Sequence, residues 1–535
     1  MPIKLSNLRL PVDAPEAALP AEMAGALSLK PDEIRRWRIL RKSLDLRDKR
    51  DIAFVYSTEL VVDDEAARLS RARQAARRGI QAELFAEPPF EMPPAGTAPL
   101  RERPLVVGSG PAGLFAAYFL AERGYRPIVL ERGKIVRERI HDVRALETEN
   151  GPHDPESNYL FGEGGAGTFS DGKLTCRSSG PDVFKALEVL VECQGKPSIL
   201  YEHRPHLGSN RLPLIVRMLR KKIEQLGGEV RFSSRAEDIE IVDGHVQAIR
   251  VNSERIAADA VVLAIGHSAR DTYEMLLSRG VPMEFKPFQF GVRIEQPQSQ
   301  INWARYGDEN HPQLGAADYT LAARAGQHDL FTFCMCAGGY VMPSVSESGG
   351  FCTNGMSESY HDSPFANSGL VITITAEDAG GDDPLAGIRF QRHYERLAFE
   401  VGKGSYQSPI QRAEDFLNGR ATQGKPASSY PRGVFPARLE EFLPVAVLEA
   451  LRKGLPMMDG QMRRQFLKNA TIVGPEARGS SPVRIPRDPE TRQSLGIAGL
   501  YPCGEGAGYA GGIISAAVDG LRSARAIAAT YALPR

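Results

Sequence analysis

Pro104-Leu-Val-Val-Gly-Ser-Gly-Pro-Ala-Gly-Leu-Phe-Ala-Ala-Tyr-Phe-Leu-Ala-Glu-Arg-Gly-Tyr-Arg-Pro-Ile-Val-Leu-Glu131 decides the fold. Leu105 to Val107 reads as a short buried strand. Gly108, Gly110 and Gly113 then form G-x-G-x-x-G. Leu114 to Arg123 is an apolar helix, and Gly124 stands where such a helix stops. Ile128 to Leu130 is a second buried strand, ending on Glu131. Gly108 permits the tight turn, Gly110 lets a pyrophosphate approach the backbone, and Gly113 lets the helix pack close to the sheet. The helix N-terminus offers free N–H groups to phosphate. Glu131, about 20 residues further on, is placed to accept from ribose hydroxyls. The stretch is therefore a dinucleotide-binding β-α-β unit.

The totals narrow the rest. A chain of 535 residues predicts two or three domains. Lys+Arg and Asp+Glu are both 66, so nothing in the net charge asks for a nucleic acid or a membrane. No run of 18 apolar residues predicts a membrane span, and Met1-Pro-Ile-Lys-Leu5 is not a signal peptide pattern. Six cysteines form no disulfide framework, and no C-x-x-C pair suggests zinc or another metal. A cytoplasmic protein with reduced thiols is expected; the oligomeric state is not readable.

Before the dinucleotide unit, Ile3, Leu5 and Leu8 suggest a strand, Pro31-Asp-Glu-Ile34 a helix start, Ile52 to Val62 a half-buried strand, and Asp64 to Arg78 a charged helix. This pattern predicts a small ferredoxin-like α+β domain over residues 1–86. Two basic clusters stand in it, one at Arg35, Arg36, Arg38, Arg41 and Lys42, the other at Arg68, Arg71, Arg73, Arg77 and Arg78. They read as solvated faces offset by nearby acids, or as a surface facing RNA or a protein partner. Residues 87–103 are proline-rich and read as a linker.

After Glu131 comes Phe161-Gly-Glu-Gly-Gly-Ala-Gly-Thr-Phe-Ser-Asp-Gly-Lys-Leu174, too rich in glycine for a regular element. Such a loop brings backbone N–H groups against something flat or anionic. A helix over Leu212 to Leu226, a β meander through Asp243-Gly244, and a buried strand ending at Gly266 lead back to the main sheet. Residues 285–470 are rich in strand-like segments and read as an inserted, mainly antiparallel substrate-side domain. The dinucleotide domain thus runs over 104–284 and resumes at 471–535. In that tail, Gly499 to Gly520 holds a strand, the Gly504-Glu-Gly506 turn and a small-residue helix. Glu505 suits a ribityl hydroxyl. The helix N-terminus near Gly511 suits the N1–C2=O edge of an isoalloxazine, where reduced flavin carries its charge.

These features together resemble the glutathione-reductase-like flavoproteins. More narrowly, Gly162-Glu-Gly-Gly-Ala-Gly-Thr-Phe-Ser-Asp-Gly-Lys-Leu174, Gly266-His-Ser-Ala-Arg-Asp271, Phe333-Cys-Met-Cys336, Asn354-Gly-Met-Ser357, Ser481-Pro-Val-Arg-Ile485 and Gly504-Glu-Gly-Ala-Gly-Tyr-Ala-Gly-Gly-Ile513 resemble the bacterial FAD-dependent dehydrogenases. The resemblance spans nearly the whole chain, the Arg41-Lys-Ser-Leu-Asp45 stretch (read as helical) included. It implies FAD and an oxidoreductase, and no particular substrate. Ala337 and His361 depart from the family pattern.

The residues assigned to the cofactor are Gly108, Gly110, Pro111, Ala112, Gly113, Glu131, Arg132, Gly164, Gly165, Gly167, Thr168, Lys173, Ala236, Ala264, Gly266, Gly504, Glu505, Gly511, Gly512 and Ile513. His206, Lys173 and Arg478 are the catalytic candidates. Arg478 clamps an anionic substrate or pairs with Glu476. Cys334, Cys336 and His267 are substrate-side candidates; the two cysteines, roughly 6.5–7 Å apart on a regular strand, fit packing or redox contact. No second G-x-G-x-x-G follows residue 131, so NAD(P)H enters only as a transient reductant, or a small-molecule substrate reduces the flavin itself. Three readings stand: an FAD-dependent dehydrogenase or reductase transferring hydride at flavin N5; a flavin monooxygenase, echoed by Gly266-His-Ser-Ala-Arg270; and an RNA- or protein-binding flavoprotein acting through its N-terminal domain.

Overall fold

In the computed structural model, residues 1–64, 69, 79–176 and 178–534 are described. Four strands, β1 (Ile3–Pro11), β2 (Arg36–Asp45), β3 (Ala53–Val61) and β4 (Gln81–Leu84), form an antiparallel sheet in the order β2-β3-β1-β4. Helix α1 (Leu19–Leu27) buries Leu19, Met23 and Leu27 in the core that Ile3, Leu5, Leu8, Tyr56 and Leu60 share. This is the strand order of a β-α-β-β-α-β arrangement. The helix expected over 64–78 and its arginine cluster lie outside the described residues.

One expectation is overturned here. Residues 36–45, Arg41 to Asp45 among them, form strand β2 rather than a helix, and Pro31 opens only a single 3₁₀ turn. Trp37 and Ile39 point to the sheet's core, and the basic residues between them carry the outer face. Three of the five clustered bases are matched by acids: Arg35 with Asp63, Arg38 with Glu59 and Glu87, Lys42 with Glu16; Arg41 meets His203 instead.

The dinucleotide unit follows as β5 (Leu105–Val107), α2 (Pro111–Glu122) and β6 (Ile128–Leu130). Helices α3 (Val136–Glu147), α4 (Pro181–Glu192) and α5 (Leu212–Gln225) lead to β7 (Glu229–Arg231). A three-stranded antiparallel meander of β8 (Ala236–Val242), β9 (His245–Val251) and β10 (Glu254–Ala257) then returns the chain to β11 (Val261–Leu263) and helix α6 (Arg270–Ser278).

The inserted sheet is built next. Its strands are β12 (Phe288–Pro297), β13 (Ala322–Arg324) and β14 (Asp329–Cys336). A separate two-stranded ribbon of β15 (Gly339–Pro343) and β16 (Thr353–Ser357) lies beside it. Strand β17 (Phe365–Ile374), helix α7 (Ala386–Val401), strands β18 (Ser408–Arg412) and β19 (Val434–Pro436), helix α8 (Val445–Gln461) and strand β20 (Thr471–Glu476) follow. The order is β13-β14-β17-β12-β20-β18-β19, antiparallel except for the β18–β19 pair.

Strand β21 (Leu500–Pro502) and helix α9 (Ile513–Thr530) close the chain. The parallel five-stranded sheet reads β21-β11-β5-β6-β7. Strands β21, β11, β5 and β6 are buried, as parallel strands under helices are, while the edge strand β7 is half-buried. Helix α9 packs on α2 at very short range: a Cβ on Gly520 would stand 2.0 Å from the carbonyl oxygen of Ala112.

Two expected boundaries move. Strand β20 belongs to the seven-stranded sheet, pairing with β12 and β18, so the return to the dinucleotide fold comes after residue 476 rather than at 471. The proline-rich 87–103 stretch is docked rather than free. Gly96 N–H donates to the Ala528 carbonyl at 2.8 Å and Ala98 N–H to that of Thr530 at 3.1 Å, satisfying end carbonyls of α9.

Candidate functional site

A cavity of about 800 Å³ opens at the C-terminal ends of β5, β6 and β11 and runs to the wall formed by β14 and the segment 171–175. That is where a parallel sheet leaves its ligand crevice, and the volume is in the range of cofactor sites. Gly108 makes the turn out of β5 at φ +101°, and a Cβ there would stand 2.3 Å from the carbonyl oxygen of Ala264. Helices α2 and α9 both point N-termini without side-chain caps into the cavity, through Gly110-Pro111 and Gly511-Gly512-Ile513. A Cβ on Gly110, Gly266, Gly511 or Gly512 would meet nothing within 4 Å, so bare backbone faces the open space. Two uncapped helix ends and exposed glycine backbone fit a molecule with a pyrophosphate and a flat, electron-rich ring.

Of the residues expected to hold the cofactor, Gly108, Gly110, Pro111, Ala112, Glu131, Arg132, Gly165, Gly167, Lys173, Ala236, Ala264, Gly266, Glu505, Gly511, Gly512 and Ile513 line this cavity. Gly113, Gly164, Thr168 and Gly504 do not, and act behind it. A Cβ on Gly113 would meet the Gly108 carbonyl oxygen at 1.9 Å, and one on Gly504 would press on Ala112 at 2.6 Å. Gly164 N–H donates to the Ser109 carbonyl at 3.0 Å, and the Thr168 hydroxyl donates to that of Glu163 at 2.8 Å. These four fix the shape of the turn and the loop.

Glu131 is already engaged by the protein. Its Oε2 accepts from Ser109 N–H (2.9 Å) and the Ser109 hydroxyl (2.6 Å), and its Oε1 from Gly133 and Gly162 N–H (both 2.9 Å). A carboxylate offers about four acceptor sites, so the expected acceptor for ribose is spent on tying three chain segments together. Arg132 is likewise held, by Glu156 and Asp271, over the ring of Phe161. Glu505 has no such partners. Burial pushes its carboxyl up to about 7, with Lys286 opposing.

On the opposite wall, Lys173 Nζ donates to Asp171 Oδ2 at 2.7 Å and to the carbonyl of Met335. Ser357 donates its hydroxyl to the same Oδ2 at 3.1 Å, and its oxygen lies 3.2 Å from His206 Nε2. Ser357 thus accepts from His206, which fixes the neutral imidazole with its proton on Nε2. Burial holds the His206 pKa down, to about 3. His206 also stacks on His361 with centroids 4.0 Å apart, and His361 Nδ1–H donates to the Ala337 carbonyl at 2.8 Å. Asp171, Ser357 and His361 were not among the expected site residues. The one sequence signal for Asp171 is its place in Ser170-Asp-Gly-Lys173; Ser357, at the end of β16, and His361, in the loop after it, arrive from a segment remote in the chain.

Arg478 lines the cavity but pairs with Glu395 through Nε and Nη2 at 2.9 and 2.8 Å, not with Glu476. Glu476 faces Arg293 on the neighbouring strand instead, at 2.7 Å. Glu395 is shared with Arg270 at 2.8 Å, and the two guanidinium charges hold its carboxyl near 2 against the burial that opposes them. Beside this cluster, burial and then Arg478 and Arg270 bring the His267 pKa to about 4.

Cys334 and Cys336 do not share one regular strand face. Between Phe333↔Gly369 and Cys336↔Asn367 three steps on β14 face two on β17, and Cys334 takes φ +42° in that bulge. Cys334 is exposed in the cavity while Cys336 is buried, 4.0 Å from Lys173 Nζ. Burial pushes their thiols up to about 11 and about 12.

Comparison with known proteins agrees with this geometry. The family described as "FAD-dependent protein, C-terminal domain-like" matches residues 287–479, and "Pyridine nucleotide-disulphide oxidoreductase" matches residues 103–276. A domain of unknown function, DUF8436, matches residues 2–61. An uncharacterised protein of Clostridium beijerinckii is 42% identical over 540 residues, all of both chains. Thiamine thiazole synthase of Aeropyrum pernix is 26% identical over 197 residues, 34% of this chain and 60% of that one. Among solved structures, L-proline dehydrogenase from P. horikoshii overlaps 80% of this chain and 93% of its own at 11% identity, with a TM-score of 0.35, too low to speak for function. Among the described residues no helix is long and apolar enough to cross a membrane. With the Clostridium relative matched end to end and both flavoprotein families matched in register, the chain belongs to a family of FAD-dependent oxidoreductases.

Proposed function

We propose that the protein is a cytoplasmic dehydrogenase or reductase, in which bound FAD accepts or donates a hydride at N5 and a small organic substrate is its partner. The observation that carries this reading is the continuity of the cavity. One space holds the uncapped helix N-termini at Gly110 and Gly512 and, at its other end, Lys173, His206 and Cys334.

Gly108, Gly110, Pro111 and Ala112 would hold the pyrophosphate, and Gly165 and Gly167 would flank it. Ala236, Ala264 and Gly266 leave room at the strand ends. Glu505 would face the ribityl chain, and the helix end at Gly511, Gly512 and Ile513 would face the pyrimidine edge of the ring. Arg132 is too firmly paired to serve as more than a wall. Lys173 stays protonated: burial pulls its pKa down, and the charge of Asp171 more than reverses that. His206 stays neutral. The substrate therefore meets a fixed cation–carboxylate pair and a fixed neutral imidazole. Arg478 and His267 position the wall between ring and substrate, and Cys334 and Cys336 present protonated thiols. The N-terminal sheet, with Arg35, Arg38 and Lys42 matched by acids, favours a structural role over RNA binding. Its Lys42 N–H donates to the Tyr201 carbonyl at 2.7 Å, in the irregular segment that leads into His206.

Anaerobic mixing of the flavin-loaded protein with candidate substrates, NADH and NADPH tests the reading. Loss of the oxidised-flavin absorbance with an organic compound is the expected result. Consumption of NAD(P)H that requires oxygen and yields a hydroxylated product would assign a monooxygenase instead.

A further inference from the structure

Asp171 carries a feature that the cofactor and the ion pair with Lys173 leave unexplained. The residue is 5% exposed, lines the cavity, and keeps one carboxylate oxygen, Oδ1, without a hydrogen-bond partner. Its other oxygen, Oδ2, takes both donors, Lys173 and Ser357. His206 Nε2 lies 3.4 Å from Oδ1, but its proton goes to Ser357. Buried polar atoms in proteins are almost always paired, and an orphan on a residue that lines a cavity marks a place for a ligand's donor.

The arrangement is held by backbone. Leu174 N–H donates to the Pro205 carbonyl at 2.9 Å, Leu207 N–H to that of Gly172 at 3.1 Å, and Gly208 N–H to that of Asp171 at 3.0 Å. Ser209 N–H donates to the Ser357 carbonyl at 3.0 Å and brings the third segment in. Asp171, Lys173, His206 and Ser357 are therefore set relative to one another before anything binds.

Lys173 leaves the complementary half open. An ammonium has three hydrogens. One goes to Asp171 and one to the Met335 carbonyl; the nearest further group is the Cys336 sulfur, at 4.0 Å. An acceptor without a donor thus sits beside a donor without a good acceptor. A hydroxyl fills both with one oxygen atom. An ammonium brings no acceptor, and it would also leave an uncompensated buried charge, because Lys173 already neutralises Asp171. A ketone or a carboxylate brings no donor.

We infer that Asp171 Oδ1 and Lys173 Nζ form the subsite for a substrate hydroxyl, and that the protein acts on a small hydroxy compound. This rests on the dehydrogenase reading above and names its substrate class.

The test uses the FAD-loaded full chain under anaerobic conditions and three probes on one carbon skeleton: cyclohexanol, cyclohexanone and cyclohexylamine. Binding is read by saturation-transfer NMR and by the flavin difference spectrum. The alcohol is expected to bind about tenfold or more tighter than the other two. Asp171→Asn is expected to lose that preference with FAD content unchanged, its melting temperature falling because the buried Lys173 loses its charge partner, and Lys173→Met to lose it through the other half of the subsite. Equal binding of the three probes, or an undiminished preference in both variants, overturns the inference. Loss of FAD from Asp171→Asn would assign Oδ1 to the flavin and also overturn it, leaving the FAD reading intact. A wild-type chain that takes no FAD would instead overturn that reading.

Discussion

The carboxylate of Glu131 and the amide of Gly162, 31 residues apart in the chain, are joined by a hydrogen bond of 2.9 Å. With Ser109 and Gly133 on its other acceptor sites, Glu131 latches the glycine loop to the phosphate turn. Glu131→Gln replaces one acceptor oxygen with an amino group facing two donors. The apoprotein is expected to lose on the order of 2–4 kcal/mol, with faster amide exchange at 162–165. A melting temperature unchanged in the absence of FAD would show that Glu131 serves the cofactor alone.

Gly110 and Gly113 belong to one motif and should fail in different ways. A side chain at Gly110 enters open cavity, so Gly110→Val is expected to keep its melting temperature and take up no FAD. A Cβ at Gly113 meets backbone at 1.9 Å. Gly113→Ala should therefore cost about 1–3 kcal/mol in the apoprotein by overpacking. Denaturant unfolding beside FAD titration separates the two.

Glu395 is the shared counter-ion of Arg270 and Arg478, all three nearly fully buried. Glu395→Gln leaves the buried Arg478 without its charge partner and Arg270 with Glu347 alone, at about 3–5 kcal/mol. The loss should be seen in both apoprotein and FAD-loaded protein, because the cluster joins α6 to α7 and the end of β20.

Glu505 gives a pH signature. Its carboxyl is raised by burial from 4.5 to about 7. The folded apoprotein thus favours the protonated form. The stability this group contributes is fully present below about pH 4.5 and is lost as pH rises through about 7. Relative to wild type, apo Glu505→Gln is expected to melt at the same temperature near pH 4.5 and at a higher temperature near pH 8. A difference independent of pH would remove the assignment of this shift to Glu505.

The β-α-β unit was legible because each residue of 104–131 answers a local demand: apolar runs for strands, Gly108 for the turn, Gly113 for close packing. The helical reading of Arg41 to Asp45 failed because the six charged or polar residues of 36–45 hid the alternation of Trp37 and Ile39, and only pairing with β3 fixes that stretch as a strand. The substrate wall was legible in pieces. Lys173 and His206 could be named, but Asp171, Ser357 and His361 meet them through three segments brought together by backbone hydrogen bonds, which no local pattern records. Arg478 was seen, but the pairing with Glu476 offered as one of its two readings fails because Glu476 is taken by Arg293 on the neighbouring strand β12; the actual partner, Glu395, comes from α7, 83 residues away.

The most direct measurement is titration of the purified apoprotein with FAD, followed by the visible spectrum and by quenching of flavin fluorescence. The account predicts stoichiometric uptake by the wild-type chain, with none by Gly110→Val. A wild-type chain that stays colourless in excess FAD, or a Gly110→Val chain that takes it up equally, would contradict it.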